Sequence, residues 1–336
     1  VTALPLPQVG GEADWVRAHL GDLTAEEPAD IRPSGAIRGG QSAADAALAA
    51  FDVTGYARSR NEVWPGERRG ASRLSPYIRH GLLPLPRVWQ HVAGGPSRDV
   101  AKFRDELLWQ EYARHLYARL GLRLSEPLRH RSPSTARWDA PWDRRMACVA
   151  LAQEELERDG WLVNQARMWL ASQWTVRAGW PWRAGEDVFF SHLLDGSRAA
   201  NRLGWQWTVG TGTGRPYGFS RYQVTKRAPG LCGRCPLATA CPIEDWPAAE
   251  PGEQVPPEPR LRSSADPAVA AGPSQPDERG KAAAVWLTAE SLGEHDPAIA
   301  AHPDLPVVFV FDEPLLRRLR LSGKRLVFLT EALAEI

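Results

Sequence analysis

Between Asp159 and Trp207 the chain reads DGWLVNQARMWLASQWTVRAGWPWRAGEDVFFSHLLDGSRAANRLGWQW, which puts seven of its 15 tryptophans into 49 residues. Each indole brings about 150–250 Å² of surface to bury, so this stretch must lie in a well-packed interior. Bulk packing seldom needs indoles at such density. A series of indoles spaced through a helical core can pass an electron towards a buried redox cofactor, because oxidation of one ring by its neighbour needs only near-contact and a low dielectric. The density therefore points to redox photochemistry.

The surrounding pattern is helical. From Val100 to Leu120 the apolar positions Phe103, Leu107, Leu108, Tyr112, Leu116 and Leu120 recur at helical spacing. Helices are also predicted over Glu12 to Leu20, Ser42 to Phe51, Arg144 to Arg158, Trp161 to Ala178, Gly185 to Leu194 and Arg198 to Trp207. Almost nothing between residues 40 and 230 alternates as a strand would, so the fold class is mainly α.

At 336 residues the chain is long enough for two domains, or one large and one partial. Residues 1–40 form a Pro-, Gly- and Ala-rich extension and 41–246 the helical domain. From 247 to 280 proline, alanine, serine and charge dominate, a composition that cannot bury enough apolar surface to fold alone and reads as a linker. Beyond it, Ala282 to Ala289 and Leu305 to Asp312 are apolar, β-rich runs, each followed by a helical segment. This β-α-β-α order predicts a Rossmann-like unit over 281–336, only partial because two strands cannot make a doubly wound sheet.

A net charge of +1 announces no nucleic-acid partner, although all but four of the 41 basic residues are arginine. Arginine suits bidentate phosphate contacts and ring stacking, and a preference for GC-rich codons would leave the same bias. No run of about 18 apolar residues occurs and the N-terminus lacks a basic start before an apolar stretch, so a cytoplasmic protein without a membrane span is expected. Four cysteines in that compartment read as metal ligands or buried thiols rather than disulfides.

Several stretches in fixed order resemble the flavin-binding domain of the DNA photolyase and cryptochrome family: GASRLSPYIRHG (Gly70 to Gly81), FRDELLWQEYARH (Phe103 to His115), the tryptophan-rich stretch, and GTGT (Gly210 to Thr213). Together they cover roughly Tyr56 to Phe219. The resemblance implies an FAD site formed by Tyr56, by Ser72, Arg73, Leu74 and Ser75 at a phosphate-binding helix start, and by Trp161, Asn164, Arg167, Asp195 and Asn201. It places Arg167 beside the isoalloxazine, Asp195 as an acceptor and Asn201 opposite flavin N5. Trp205 would be the proximal electron donor and Trp182 the next, with Trp142 or Trp138 distal. For Trp161, Trp169, Trp174 and Trp180, core packing is at least as good a reading as a redox role. Glu106, Trp109, Met168 and Trp207 would line a cavity for a flipped pyrimidine dimer. Gln110 and Ser197 depart from the family pattern.

Cys148, with Cys232 and Cys235 in CGRC and Cys241 six positions on, resembles the iron-sulfur branch of the bacterial photolyases and cryptochromes, which implies a [4Fe-4S] cluster; four cysteines also suit structural zinc. The tail from Val285 to Ile336 resembles the opening of the family's antenna domain, which implies a circularly permuted order, an unassigned antenna chromophore, and a second polypeptide, truncation or cleavage to explain the missing part. The implied activity is light-driven repair of ultraviolet lesions in DNA. A cryptochrome-like blue-light receptor is the alternative, and a flavin and cluster redox protein acting on nucleic acid in the dark is a third reading.

Overall fold

A computed structural model of the chain describes residues 2–132, 135–249, 252–256, 258–261 and 280–336. Helices dominate it. The N-terminal half carries α1 (Glu12–Leu20), α2 (Gln41–Ala50), α3 (Tyr56–Ser59), α4 (Ser75–Arg79), α5 (Leu85–His91) and the long α6 (Ser97–Leu120). Next come α7 (Ala147–Asp159), α8 (Asn164–Ser172), α9 (Trp182–His192), α10 (Ala200–Val209) and α11 (Arg221–Arg227). Gly160 and Gly210, at φ 64° and 84°, end α7 and α10 in the left-handed conformation that a side chain resists.

Two predicted details change. On α6 the buried positions are Val100, Phe103, Leu107, Ala113, Leu116 and Leu120, whereas Leu108 and Tyr112 face solvent. The single helix expected from Trp161 to Ala178 begins only at Asn164, after an extended Val163. It passes into a π-helical turn over Gln173–Arg177 that carries Trp174.

In the tail, β1 (Val285–Leu287) pairs in parallel with β2 (Val307–Phe309), Val285 opposite Val307. The crossover holds α12 (Pro297–Ala301), capped by the Asp296 carboxylate, and α13 (Glu313–Leu319) and α14 (Gly323–Leu333) follow. The predicted β-α-β order is present, but among the described residues this two-stranded sheet gains no third strand, so the expected Rossmann-like unit does not extend beyond the pair. Its strands leave Trp286, Val307 and Val308 exposed.

Sequence composition set residues 281–336 apart, yet α14 shares the core of the helical region. Leu326, Val327 and Phe328 are at most 1% exposed and belong to the same cluster as Trp169, Trp205 and Phe189. Four consecutive apolar residues, Leu326 to Leu329, cannot lie on one face of a helix; they call for burial on every side. Helix α14 packs on α1 and α9, and Gly39, where any Cβ would stand 2.1 Å from the Phe328 carbonyl oxygen, lets the backbone pass. The N-terminal extension contributes Val16, Leu20, Ile31 and Ile37 to this core. Much of the predicted linker (250, 251, 257 and 262–279) lies outside the described residues. The described remainder runs along the segment after α6: the Arg131 amide donates to the Glu253 carbonyl at 2.8 Å, and Glu258 pairs with Arg123 at 3.1 Å.

Candidate functional site

Three of the singled-out segments meet in one hydrogen-bonded network. Trp161, at the end of the loop after α7, donates from Nε1 to Ser75 Oγ at 3.1 Å, and Ser75 in turn bonds the Asp195 carboxylate. Arg167 on α8 grips the same carboxylate with Nη1 and Nη2, at 3.0 and 2.7 Å. Asp195 has only 5% of its side chain in water. Burial alone would raise its pKa, but the Arg167 guanidinium and the Ser75 hydroxyl hold it below the ordinary carboxylate range. Arg73, in the left-handed region at φ 58°, lays its guanidinium 5.4 Å from the Trp161 ring centre. Leu74 is fully buried, while Ser72 accepts from the Leu74 amide at 3.4 Å.

Asn201 on α10 lies beside Glu186 on α9. Its Nδ2 donates to the Glu186 carbonyl and to Oε1, both at 3.1 Å. Glu186 is wholly buried and also meets Arg183, Arg198 at 2.7 Å and Arg202 at 3.5 Å. With its donors committed, Asn201 presents an amide oxygen to any further partner. Arg202 Nη1 and Trp205 Nε1 are buried donors without a hydrogen-bond acceptor among the described residues.

A second network surrounds Glu106 on α6. Tyr56 donates its hydroxyl at 2.7 Å, Arg60 its Nε at 2.5 Å, and Lys102 stands 3.5 Å away. Burial and the Glu106 charge push the Tyr56 phenol far above its usual range. Tyr56 therefore joins the Glu106 network and not the Ser75–Asp195 one. Trp109, 60% exposed, leans edge-on against Tyr112, and Trp207, 47% exposed, lies 5.5 Å from Tyr217. Asn164 is exposed and donates to Met168 Sδ at 3.5 Å, the contact of two residues one helical turn apart.

The indoles form a hub. Trp205, 2% exposed, packs against Phe189 at 5.0 Å and Trp174 at 6.3 Å. Trp174 also meets Trp142 at 4.9 Å and Trp180 at 5.9 Å. Trp182, although 4% exposed, enters none of these indole contacts and carries the Arg183 guanidinium over its ring at 5.2 Å.

All four cysteines line one pocket, floored by Met146, Val224 and Leu231 and edged by Arg221. Cys148, at the start of α7, is the buried member; burial, followed by the charge of the other three thiols, pushes it up to about 12. The Ala147 amide points at Cys235 Sγ at 3.4 Å, and Thr225 donates to Cys232 Sγ at 3.6 Å. Among the described residues no three His, Cys, Asp or Glu side chains are gathered closely enough to hold a single metal ion.

Sequence reasoning missed Arg60, Lys102 and Glu186, and read Trp174 as core packing at least as readily as a redox residue. Two of these were legible as spacing: Arg60 follows Tyr56, and Glu106 follows Lys102, by one helical turn.

Residues 103–229 match the family model described as the FAD binding domain of DNA photolyase. The deoxyribodipyrimidine photo-lyase of Vibrio cholerae is 34% identical over 171 residues, 45% of this chain and 35% of its own. That of Thermus thermophilus is 33% identical over 210 residues, 57% of this chain and 47% of its own. A bacterial class III photolyase from Agrobacterium tumefaciens superposes with a TM-score of 0.50 at 26% identity, over 56% of this chain and 42% of that one. The cryptochrome of Synechocystis shares the fold with a TM-score of 0.51 at 23% identity, over 59% and 45%. The chain spans less than half the length of these curated relatives. The family match lies within the helical region and is to the FAD binding domain of DNA photolyase. No helix among the described residues is long and apolar enough to cross a membrane.

Proposed function

We propose that this chain binds FAD and uses it for light-driven repair of pyrimidine dimers in DNA. The observation that carries the reading is the network in which Trp161, Ser75, Asp195 and Arg167 knit three distant segments around one enclosed carboxylate. The buried donors of Arg202 and Trp205 suit a polar, anionic ring system. Ser72, Arg73 and Ser75 would hold the pyrophosphate, Arg167 would favour an anionic flavin ring, and the Asn201 oxygen would accept from a ring N–H. When bound and reduced, FAD supplies the light-excited electron that splits the crosslinking bonds of the dimer.

The protein's own contributions are positional. Tyr56 and Arg60 fix the Glu106 carboxylate towards the exposed face of α6, where it can accept from a thymine imide. Trp109 and Trp207 offer open ring faces to unstacked bases, and Met168 on α8 would line the same cavity. The network around Asp195 holds Arg167 at fixed geometry.

The four cysteines are proposed to hold a [4Fe-4S] cluster. They line one pocket, and four thiolates are the number such a cluster takes. A second polypeptide docking on Trp286, Val307 and Val308 is the proposed completion of the strand pair.

The test is an anaerobic visible spectrum of the purified protein with iron and acid-labile sulfide assays, then blue light with a dimer-containing oligonucleotide. Flavin bands and loss of dimer are expected. Photoreduction without repair would favour the receptor reading, and a protein that refuses FAD would end both.

A further inference from the structure

The segment after the cysteines carries an indole that packing does not explain. Trp246 lies beyond the stretch matching the flavin-domain model, which ends at residue 229, and 52% of it stands in water. Its mounting is nonetheless firm. Arg177, in the π-helical turn after α8, donates to the carbonyls of Phe219, Pro242 and Asp245 and so ties the two chain segments that meet at Trp246. The Arg221 amide holds the Ile243 carbonyl at 2.7 Å. Gly218 makes the seat: a Cβ there would stand 2.9 Å from Trp246 Nε1 and 2.5 Å from Pro247 Cγ. An indole held this firmly and left half bare signals a partner.

Its neighbours say which. Trp246 meets the Tyr217 ring edge-on at 6.0 Å, and Tyr217 meets Trp207 at 5.5 Å, so two exposed indoles flank one tyrosine. Tyr217 is fixed in turn: Gln165 donates to its hydroxyl at 2.9 Å, and the hydroxyl donates to Gln223 at 3.2 Å. Aromatic faces in a row beside a cationic surface hold unpaired nucleotides whatever their sequence. Arg215, two residues before Tyr217, is exposed and enters no ion pair among the described residues, which leaves it for a phosphate. Exposed Asp245 repels phosphate, so what reaches the adjoining Trp246 is a base.

We infer that Trp246 is a second stacking platform: with a dimer against Trp207, a nucleobase flanking that dimer on the same single strand lies against Trp246. The inference rests on the DNA reading above. Trp246 is a positioning residue, outside the lesion cavity and without a part in bond splitting. Its effect falls on binding, and only on strands that have a base beside the dimer.

The experiment measures, in the full chain, the affinity of the parent, Trp246→Ala and Trp246→Phe for three single strands. One carries a central thymine dimer, one carries the same dimer between two abasic sites, and one is undamaged; repair under blue light is followed on the first. Trp246→Ala should bind the first strand about tenfold more weakly, the factor that about 1.4 kcal/mol represents, within what one stacked base contributes. On the abasic strand the variant and the parent should agree. With saturating strand the repair rate should be unchanged, so KM rises while kcat stays. Trp246→Phe, which keeps a ring, should recover most of the affinity. Equal losses on both dimer strands, no loss on either, or a phenylalanine no better than alanine would overturn the platform. Should Trp246→Ala fail to fold, the parent decides: abasic flanks that cost it no affinity defeat the inference. A parent that repairs no dimer would instead defeat the functional reading, and the platform would be judged on the undamaged strand, where Trp246→Ala should still cost about tenfold.

Discussion

Two helices show how little a segment's place in the sequence says about its place in the fold. Helix α6 lies in the stretch that matches a photolyase flavin domain, yet it turns Leu108, Trp109 and Tyr112 to water. Helix α14 lies in the tail beyond the Pro-rich segment, yet nine of its residues are buried, among them Lys324 and Arg325. Arg325 donates to the carbonyls of Phe190 and Gly196, the latter next to Asp195, so the tail braces the loop that carries the candidate site. Exposed aromatics on a helix that could have been covered signal a surface kept open for a partner. A buried helix from an apparently separate segment signals structural dependence.

The strongest way to break this contrast is Phe328→Ala, which opens a cavity against Tyr77 and His80. If α14 belongs to the core, urea unfolding should show a loss of about 3–5 kcal/mol; a loss confined to the tail would separate the two regions again. Next comes Asp195→Ala, which leaves Arg167 without its partner. Because Arg167 keeps 25% of its side chain in water, the cost should fall near the low end for a broken buried pair, about 3 kcal/mol in the same assay, with FAD retention falling alongside.

Trp109→Ala tests the other helix. Its stability should stay within about 0.5 kcal/mol of the parent, while affinity for dimer-containing DNA, followed by fluorescence, should weaken by about 1–3 kcal/mol through lost stacking. The smallest effect concerns Glu331 on α14, which accepts from the Gly39 amide at 2.5 Å. Burial pushes this carboxyl from its ordinary 4.5 up to about 7. A raised acid favours the folded state while protonated, so its contribution is full below the ordinary value and is lost as the pH climbs through about 7. Melting curves across that window should slope downward for the parent and flatten for Glu331→Gln.

Much of this was legible in the residues. Acidic residues opening α1, the glycines after α7 and α10, and the apolar spacing of Phe103, Leu107, Leu116 and Leu120 mark helices by ordinary physical rules. The segments carrying Ser75, Trp161, Arg167 and Asp195 were legible as candidates for one site, because each supplies a donor or acceptor suited to a dinucleotide. What they bond in the protein was not, since Trp161 and Ser75 are 86 residues apart. Which indole lies beside Trp205 was hidden for a related reason. Sequence gives the number of indoles, but which one lies beside Trp205 depends on where α9 crosses α8, and Gly185 marks that crossing only once the crossing is seen. Leu108 and Tyr112 misled because they satisfy helical spacing equally well on a face that nothing covers.

The depth of α14 also sets an order of events. Gly39 reaches Glu331 across 292 residues and the Gly323 amide reaches Glu26 across 297. Contacts that close such long loops are slow to form. On a ribosome the opening helix emerges early, but the surface that covers it emerges some three hundred residues later. Until then Val16 and Leu20 lack the surface of α14 that covers them, so α1 finds its place only after α14 has been made.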